Sequence, residues 1–444
     1  MKLILLSGGS GKRLWPLSNE IRSKQIIKML FDENGIEQSM VQRVYHQIKQ
    51  SQPNADIVVA TGIKQADSIR NQLGDKVDIV LEPERRDTYP AIALAGAYLA
   101  YEKGTDLDET VVVIPVDPYV DTNFFEVMNQ MDVAVQTGNI DIVLMGIKPD
   151  EPSCKYGYIV PNGMPNAFGV MHVDRFIEKP DVLTAKALLG EHAAWNSGVF
   201  AFKLRYLLNA VKKELSFSSF DEIYDSYNLL ENTSFDYKIV ENCSSIGMIQ
   251  YYGEWKDIGT WPAISDVVGN NVIGNVVIDN CDDTNVINEM NVPMVVLGAK
   301  KMMIVASPDG ILVSDKTMSE NIKQYVDYID MKPMYKDKRW GKITVIGHGG
   351  DDEMQYLTRH LVIHANMSTS YHCHFRHSIV WTLVKGEAEA IIDDVSQNLL
   401  PGDTITIEPG QYHGIKTVKE SELIEVQVGD EDIEADLSER ILEW

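Results

Sequence analysis

The stretch "LILLSGGSGKRLWPLS", residues 3–18, decides the reading of the first half of this 444-residue chain. An apolar run, Leu3 to Leu6, ends in a turn holding Gly8, Gly9, Ser10 and Gly11, and Lys12 and Arg13 follow directly. A glycine-rich turn after a strand lets backbone N–H groups approach a phosphate without side-chain obstruction. The turn is not a P-loop, because Leu6 stands where the first glycine belongs and Arg13 where the hydroxyl residue belongs. Nor is it a dinucleotide fingerprint, since Lys12-Arg13-Leu14 offers no third glycine in register. On this stretch alone, a tight turn in a surface loop is the competing reading.

Outward from that turn, apolar β-rich runs recur at 56–61, 78–81, 110–116 and 141–147, with helical patterns between them. Near-continuous apolar strands joined by helical crossovers predict an α/β domain, Rossmann-like, with a mostly parallel sheet covered on both faces. Ligands gather at the carboxyl ends of such strands. Three segments fall there: the glycine turn, "EPERRDT" (82–88) and "VDP" (116–118). The expected domains are an α/β domain over 1–265, a β-rich connecting region over 266–330, a linker over 331–341 and an all-β domain over 342–444. The linker, inside "DMKPMYKDKRWG", shows no clear period and is rich in lysine.

Bulk composition excludes several classes. Hydrophobic residues make up 44% and charged residues 24%, as in an ordinary globular protein. A net charge of −25 with no dominant basic patch argues against nucleic acid as a partner. An anionic ligand then needs local cations or a metal ion. The four cysteines, Cys154, Cys243, Cys281 and Cys373, lie far apart, as reduced thiols do. No run approaches a membrane span, so no membrane partner is expected and the cytoplasm is the expected location.

Several charged residues of the first half stand where chemistry is expected. Lys24 follows the glycine turn in "RSKQ", and Asp117 ends an apolar strand, as a metal ligand or as a cap for the helix near Asp121. Asp257 sits in "WKDIGTW", and Glu178 and Lys179 in "FIEKP" pair an acceptor with a cation. Taken in order, "GGSGKRLWPLS", "KQ", "EPxxRxTxPAIALA", "FIEKP", "WNSGVF" and "WKDIGTW" resemble the sugar-1-phosphate nucleotidyltransferases. The branch they are most similar to is the mannose-1-phosphate guanylyltransferases in their long form, which carries a C-terminal type II phosphomannose isomerase domain.

That resemblance implies a reaction and a set of roles. A sugar-1-phosphate oxygen attacks the α-phosphorus of a nucleoside triphosphate and expels pyrophosphate, a transfer that needs positioning and charge neutralisation. Gly8, Gly9, Ser10, Gly11 and Lys12 would cradle the triphosphate, with Glu82 and Asp87 also on the nucleotide side. Arg13 would neutralise pyrophosphate and Lys24 would contact phosphate oxygens. Asp117 and Asp257 would hold Mg²⁺, a hard cation suited to carboxylates. Glu178, Asn196 and Gly157 would meet the sugar, and Lys179 its phosphate. The implied partners are a nucleoside triphosphate, with GTP foremost, and a sugar-1-phosphate, with mannose-1-phosphate foremost. A homodimer is one arrangement the sequence allows. Lys12, Pro118, Arg85 and Asp87 depart from the family pattern, which keeps a cytidylyl- or uridylyltransferase, or a non-catalytic nucleotide-sugar sensor, as alternatives. Asp87 has two readings: a carboxylate can accept both N1–H and N2–H of guanine, or it can cap the helix near Pro90.

The C-terminal part resembles a cupin through "YHCHFRHSIVWTLVKG" and "PGDTITIEPGQYH". On a strand, His372 and His374 project to one side, and His413 would return from a later strand to complete a site for a second divalent metal. Aligned with the type II isomerases, Ile379 takes the position of a metal-binding glutamate, and the chain closes with "LSERILEW" where they carry a "YGR" end. A three-histidine or purely structural cupin, without isomerase activity, is therefore expected.

Overall fold

The computed structural model describes residues 1–9, 11–74, 77–138, 140–268, 271–329, 333–351, 354–429 and 438–440. The chain forms two units, Met1–Ser10 with Ser23–Gly269, and Gly11–Arg22 with Asn270–Trp444.

A nine-stranded sheet is the centre of the first unit. Its order is Asp78–Glu82, Asp56–Gly62, Lys2–Leu6, Thr110–Pro115, Ala194–Lys203, Ile142–Ile147, Ile246–Tyr251, Val170–Ile177, Tyr158–Asn162. The first four strands run parallel, with Leu3 beside Ile57 on one side and Val112 on the other. In chain order each of them is joined to the next by a segment that carries a helix, as parallel strands of one sheet require. Ala194–Lys203 runs antiparallel to both of its neighbours. Tyr158–Asn162 and Val170–Ile177 are joined by only a short turn through Gly163 and Gly169, so they also pair antiparallel.

Helices cover both faces and follow local signals. Met40–Ser51 starts at a Ser39–Gln42 capping box, which satisfies donors the first turn would leave orphaned. Thr88–Tyr101 is apolar on nearly every side and is accordingly buried from Tyr89 to Ala97. Beyond the Thr110–Pro115 strand, Pro118–Val120 pairs antiparallel with Trp255–Asp257 and places Asp257 opposite Pro118.

The second unit begins, in space, with the rest of the glycine turn. Lys12–Leu14 forms one 3₁₀ turn, Lys12 Nζ lies 3.3 Å from Asp327, and Asn19 donates to Asp309 at 2.6 Å. Arg22 makes a two-pronged ion pair with Glu289, at 2.7 and 2.8 Å, and packs over the Tyr335 ring. Strands Val272–Gly274, Asn285–Asn288 and Met302–Ser307 stack in parallel register, and Gly310–Asp315 closes that sheet antiparallel.

A six-stranded and a five-stranded sheet complete this unit and enclose Leu361, Ile363, Trp381, Leu383, Ala390, Ile407, Ile415 and Leu423. Part of the expected linker belongs to the six-stranded sheet. Tyr335–Lys338 is a strand that pairs with Gly341–Gly350, Tyr335 opposite Thr344. Lysine-rich composition hid its alternation, in which Tyr335 and Asp337 lie on one side and are bonded to each other at 2.9 Å. Residues 330–332 and most of the closing segment, 430–437 and 441–444, lie outside the described residues.

Candidate active site

In the first unit, the turn after Lys2–Leu6 is held from beneath. The Gln25 amide donates to the Gly8 carbonyl at 3.1 Å, Ser7 Oγ donates to Gln25 at 3.2 Å, and Thr61 Oγ1 donates to the Ser7 carbonyl at 2.7 Å. Gly9 has φ 139°, a conformation that L side chains rarely adopt. A side chain at Gly8 would meet Glu82, its Cβ 3.6 Å from Oε1. Glu82 is buried and accepts from the Tyr227 hydroxyl at 2.8 Å. Burial raises its pKa, with the Tyr227 bond and the Arg85 charge opposing. Ser10 lies outside the described residues, and Gly11, Lys12 and Arg13 belong to the second unit.

Lys24, Asp117 and Asp257 converge. Lys24 Nζ is 2.8 Å from Asp117 Oδ2, and a Cβ at Gly259 would lie 3.1 Å from Asp257 Oδ1 and 3.4 Å from Lys24 Nζ. The Pro118–Val120 ribbon joins the two acids, and the following helix, Asn123–Thr137, has its N-cap at Thr122 with Asp121 accepting from the Asn123 N–H at 2.8 Å, so Asp117 does not cap it. Burial disfavours the Asp117 carboxylate, but the charge and hydrogen bond of Lys24 outweigh it and hold its pKa below the usual carboxylate range. The two acids are hard oxygen donors, the ligand class that divalent cations such as Mg²⁺ take.

Gly157, Glu178, Lys179, Asn196 and a residue the sequence reading missed, Asp236, form a second group. Asn196 N–H donates to the Gly157 carbonyl at 2.8 Å, while its side-chain amide donates to Asp236 Oδ1 at 2.6 Å. The Glu178 side chain is only 6% exposed and pairs with Lys179 at 3.1 Å. Glu178 Oε2 fills the space where a Gly157 Cβ would stand, 2.4 Å from that position. Asp236 opens a single π turn, Asp236–Val240, a geometry often found at functional sites. The available signal was "SFDY", an isolated acid between aromatics. Tyr156, Trp195 and Trp255 pack together, with ring centroids 4.7 Å apart for Tyr156 and Trp195. The nearby Asp257 charge adds to burial in raising the Tyr156 phenol pKa.

Asp87 is exposed, and its carboxylate accepts from the Thr88 N–H at 2.7 Å. It therefore caps its helix, which starts at Thr88, two residues ahead of the expected Pro90.

In the second unit, the ligating atoms of His372, His374 and His413 lie within 4.8 Å of one another. His372 and His413 face each other across paired strands. His413 Nδ1 is 3.0 Å from the Gln411 carbonyl, which fixes the tautomer and leaves the buried Nε2 with no hydrogen-bond partner among the described residues. Burial first, then the His372 charge, lower its pKa to about 4, which favours the neutral imidazole, the form able to bind a metal. The residues present thus fit a divalent transition metal. Ile379 is buried in the apolar core and supplies no ligand. A carboxylate does reach the cavity from a strand far away in sequence. Glu425 accepts from Trp381 Nε1 at 2.8 Å and pairs with Arg359 at 2.7 Å. Its signal was the inward face of "SELIEVQVG", where Glu425 and Gln427 share the buried side with Leu423 and alternate with Ile424 and Val426. Arg359, His372, His374, Trp381, Glu425 and Gln427 line a cavity of about 220 Å³.

The sheet, with its strand-end turn and converging acids, is that of a nucleotide-handling α/β enzyme. Residues 2–271, more than half of the chain, match the nucleotidyl transferase family, and the chain belongs to it. Residues 330–442 match the mannose-6-phosphate isomerase C-terminal family. The chain is similar to the xanthan biosynthesis protein XanB of Xanthomonas campestris pv. campestris strain B100, 29% identical over 96% of this chain and 95% of that one. It is similar also to the mannose-1-phosphate guanylyltransferase of Escherichia coli K12, 27% identical over 96% and 95%. Among solved structures, one described as a mannose-1-phosphate geranyltransferase from Thermus thermophilus aligns with a TM-score of 0.61 at 25% identity, over 74% of this chain and 99% of that one. No helix among the described residues is long and apolar enough to cross a membrane.

Proposed function

We propose that this enzyme transfers a guanylyl group from GTP to mannose-1-phosphate, giving GDP-mannose and pyrophosphate. The observation that carries the reading is the convergence of Lys24, Asp117 and Asp257 in the unit that also holds the Gly8–Gly9 turn and the Glu178–Asn196 group. Relatives matched along 95% of their own length, among them a mannose-1-phosphate guanylyltransferase, support the choice of substrates.

An oxygen of the sugar phosphate attacks the α-phosphorus, the bond from that phosphorus to the bridging oxygen breaks, and pyrophosphate leaves with the electron pair. The phosphate monoester is already an anion, so no general base is required. Backbone N–H groups at Gly8 and Gly9 face the triphosphate, and Lys24 holds phosphate oxygens as negative charge shifts toward the leaving group. Asp117 and Asp257 would hold Mg²⁺, which supplies charge neutralisation on the triphosphate. Glu178 and Asn196 bind sugar hydroxyls, and Lys179 holds the sugar phosphate. Arg13 is assigned to pyrophosphate on resemblance alone. Because Asp87 caps its own helix, the preference for guanine leans on the relatives. The cupin binds one divalent metal through His372, His374 and His413 and does not isomerise sugar phosphates. The enzyme works in the cytoplasm.

Pyrophosphate release tests the reading, with GTP, ATP, CTP, UTP and dTTP each paired with several sugar-1-phosphates. GTP with mannose-1-phosphate should give the highest kcat/KM. A preference for CTP or UTP with every sugar would overturn the guanine assignment, and no release from any pair would overturn the transferase reading.

A further inference from the structure

Asp236 belongs to no motif on which the proposed function rests, yet it reaches the centre of the sugar-side group. Its Oδ1 takes one of the two amide hydrogens of Asn196, at 2.6 Å, and Asn196 Oδ1 accepts from the Gly198 N–H at 3.2 Å. The Asn196 amide is thereby fixed in one orientation, with its second N–H directed elsewhere. Glu178 comes from the turn after Val170–Ile177, close enough for its charge to act on Asp236. Asp236 bonds the Asn196 side chain, the Asn196 backbone bonds Gly157, and Glu178 packs against Gly157, so two carboxyl groups and the Lys179 cation gather around one oriented amide and offer acceptors for the donors of one ligand. A sugar supplies such donors as neighbouring hydroxyls.

We propose that Asp236 is a positioning and specificity-determining residue of the sugar subsite, orienting Asn196 and forming with Glu178 a paired carboxyl clamp for adjacent hydroxyls of the sugar-1-phosphate. This rests on reading the Glu178–Asn196 group as the sugar side of the site.

The pair has a consequence in pH. The groups acting on Asp236 are Glu178 and Lys179, Asn196 from the Ala194–Lys203 strand, and the backbone N–H at its own turn. Burial and the Glu178 charge push its pKa up to about 7, and the bonds from backbone and Asn196, with Lys179, oppose. Below that pH, Asp236 is a neutral acid that donates one hydrogen bond and accepts another. Above it, two carboxylates repel each other and repel the incoming phosphate.

The test uses the full-length protein and α-D-mannose-1-phosphate as the probe, with calorimetric Kd and steady-state KM measured from pH 6 to pH 8. Asp236→Asn keeps the shape and the neutral donor–acceptor character of the protonated acid. The wild type should lose affinity relative to Asp236→Asn by roughly tenfold across that range, the equivalent of one pKa unit. Taking the ratio of the two proteins cancels the titration of the probe's own phosphate. Asp236→Ala should raise KM for the sugar phosphate about tenfold or more at every pH, with KM for GTP unchanged, because Asn196 loses its anchor. A thermal melt identifies any variant that fails to fold, in which case Asp236→Asn alone carries the test. A constant wild-type to Asp236→Asn ratio, or an effect on GTP in place of the sugar phosphate, would overturn the inference while leaving the proposed function standing. Absence of turnover by the wild type would strike the proposed function, and the calorimetric ratio would still decide the role of Asp236; wild type that does not bind the probe refutes the clamp.

Discussion

Gly157→Ala isolates the sugar side of the site with a single methyl group. The added Cβ would lie 2.4 Å from Glu178 Oε2 and 2.8 Å from Phe176 Cζ, whereas ordinary contacts begin at 3.4 Å. The carboxylate must therefore retreat by ~1 Å, out of the position set by Lys179 at 3.1 Å. Gly157 does not have a positive φ, so the backbone accepts alanine and the strain falls on the two side chains. The end of a glutamate moves easily, and the loss of stability should stay at about 1–2 kcal/mol, the lower part of the overpacking range. Function is less tolerant. A displacement of that size can cost about 100-fold in rate, or about 2.7 kcal/mol of transition-state stabilisation. Steady-state pyrophosphate release, with each substrate varied in turn, should show kcat/KM for mannose-1-phosphate down ~100-fold and KM for GTP within about twofold of wild type. Circular dichroism should show an intact fold. A folded variant with wild-type kcat/KM for the sugar phosphate would refute the placing of Glu178 on the sugar.

Asp117→Asn, which replaces an anionic ligand by a neutral amide beside Lys24, should lower kcat by about 100-fold or more and raise the Mg²⁺ concentration needed for half-maximal rate; wild-type turnover at limiting Mg²⁺ would remove Asp117 from the metal site. In the cupin, purified protein should carry about one divalent metal per chain, lost in His413→Ala with transfer activity kept, as metal analysis would read. A coupled assay should find no isomerisation of fructose-6-phosphate, and robust turnover would show that Ile379 does not disable the domain. Stability gives a separate check on Asp236. The folded state keeps its proton up to about pH 7 against 3.8 for an ordinary aspartate, so this group's contribution to stability falls as pH rises between those values. The melting temperature of Asp236→Asn relative to wild type should therefore rise from pH 4 to pH 7, and a flat difference would mean that Asp236 is ionised throughout.

Much of the strand and helix pattern of the first unit was legible in the order of the residues, as was the position of the glycine turn at a strand end. Apolar runs such as 110–116 bury both faces and must be sheet centre, and the glycine turn after Leu6 has no side chains to place over a phosphate. The histidine pair at 372 and 374 was legible from its period-two spacing; His372 lies in the Tyr371–Cys373 strand and His374 follows directly after its end. The tertiary structure decided what depends on residues far apart in the chain. Asp117 reads equally as cap or ligand from its spacing, and only the fold sets it against Lys24, at 2.8 Å, and beside the Trp255–Asp257 strand. Asp236 and Glu425 sit in no recognisable spacing with their partners, Glu178 and Asn196 for one, Arg359 and Trp381 for the other. Their ionisation is set by burial and by charges that the fold brings close, and neither quantity is written in the order of the residues. The Tyr335–Lys338 strand makes the same point for the backbone: its lysine-rich composition suggests a loop, and only pairing with Gly341–Gly350 satisfies its N–H and C=O groups as a strand.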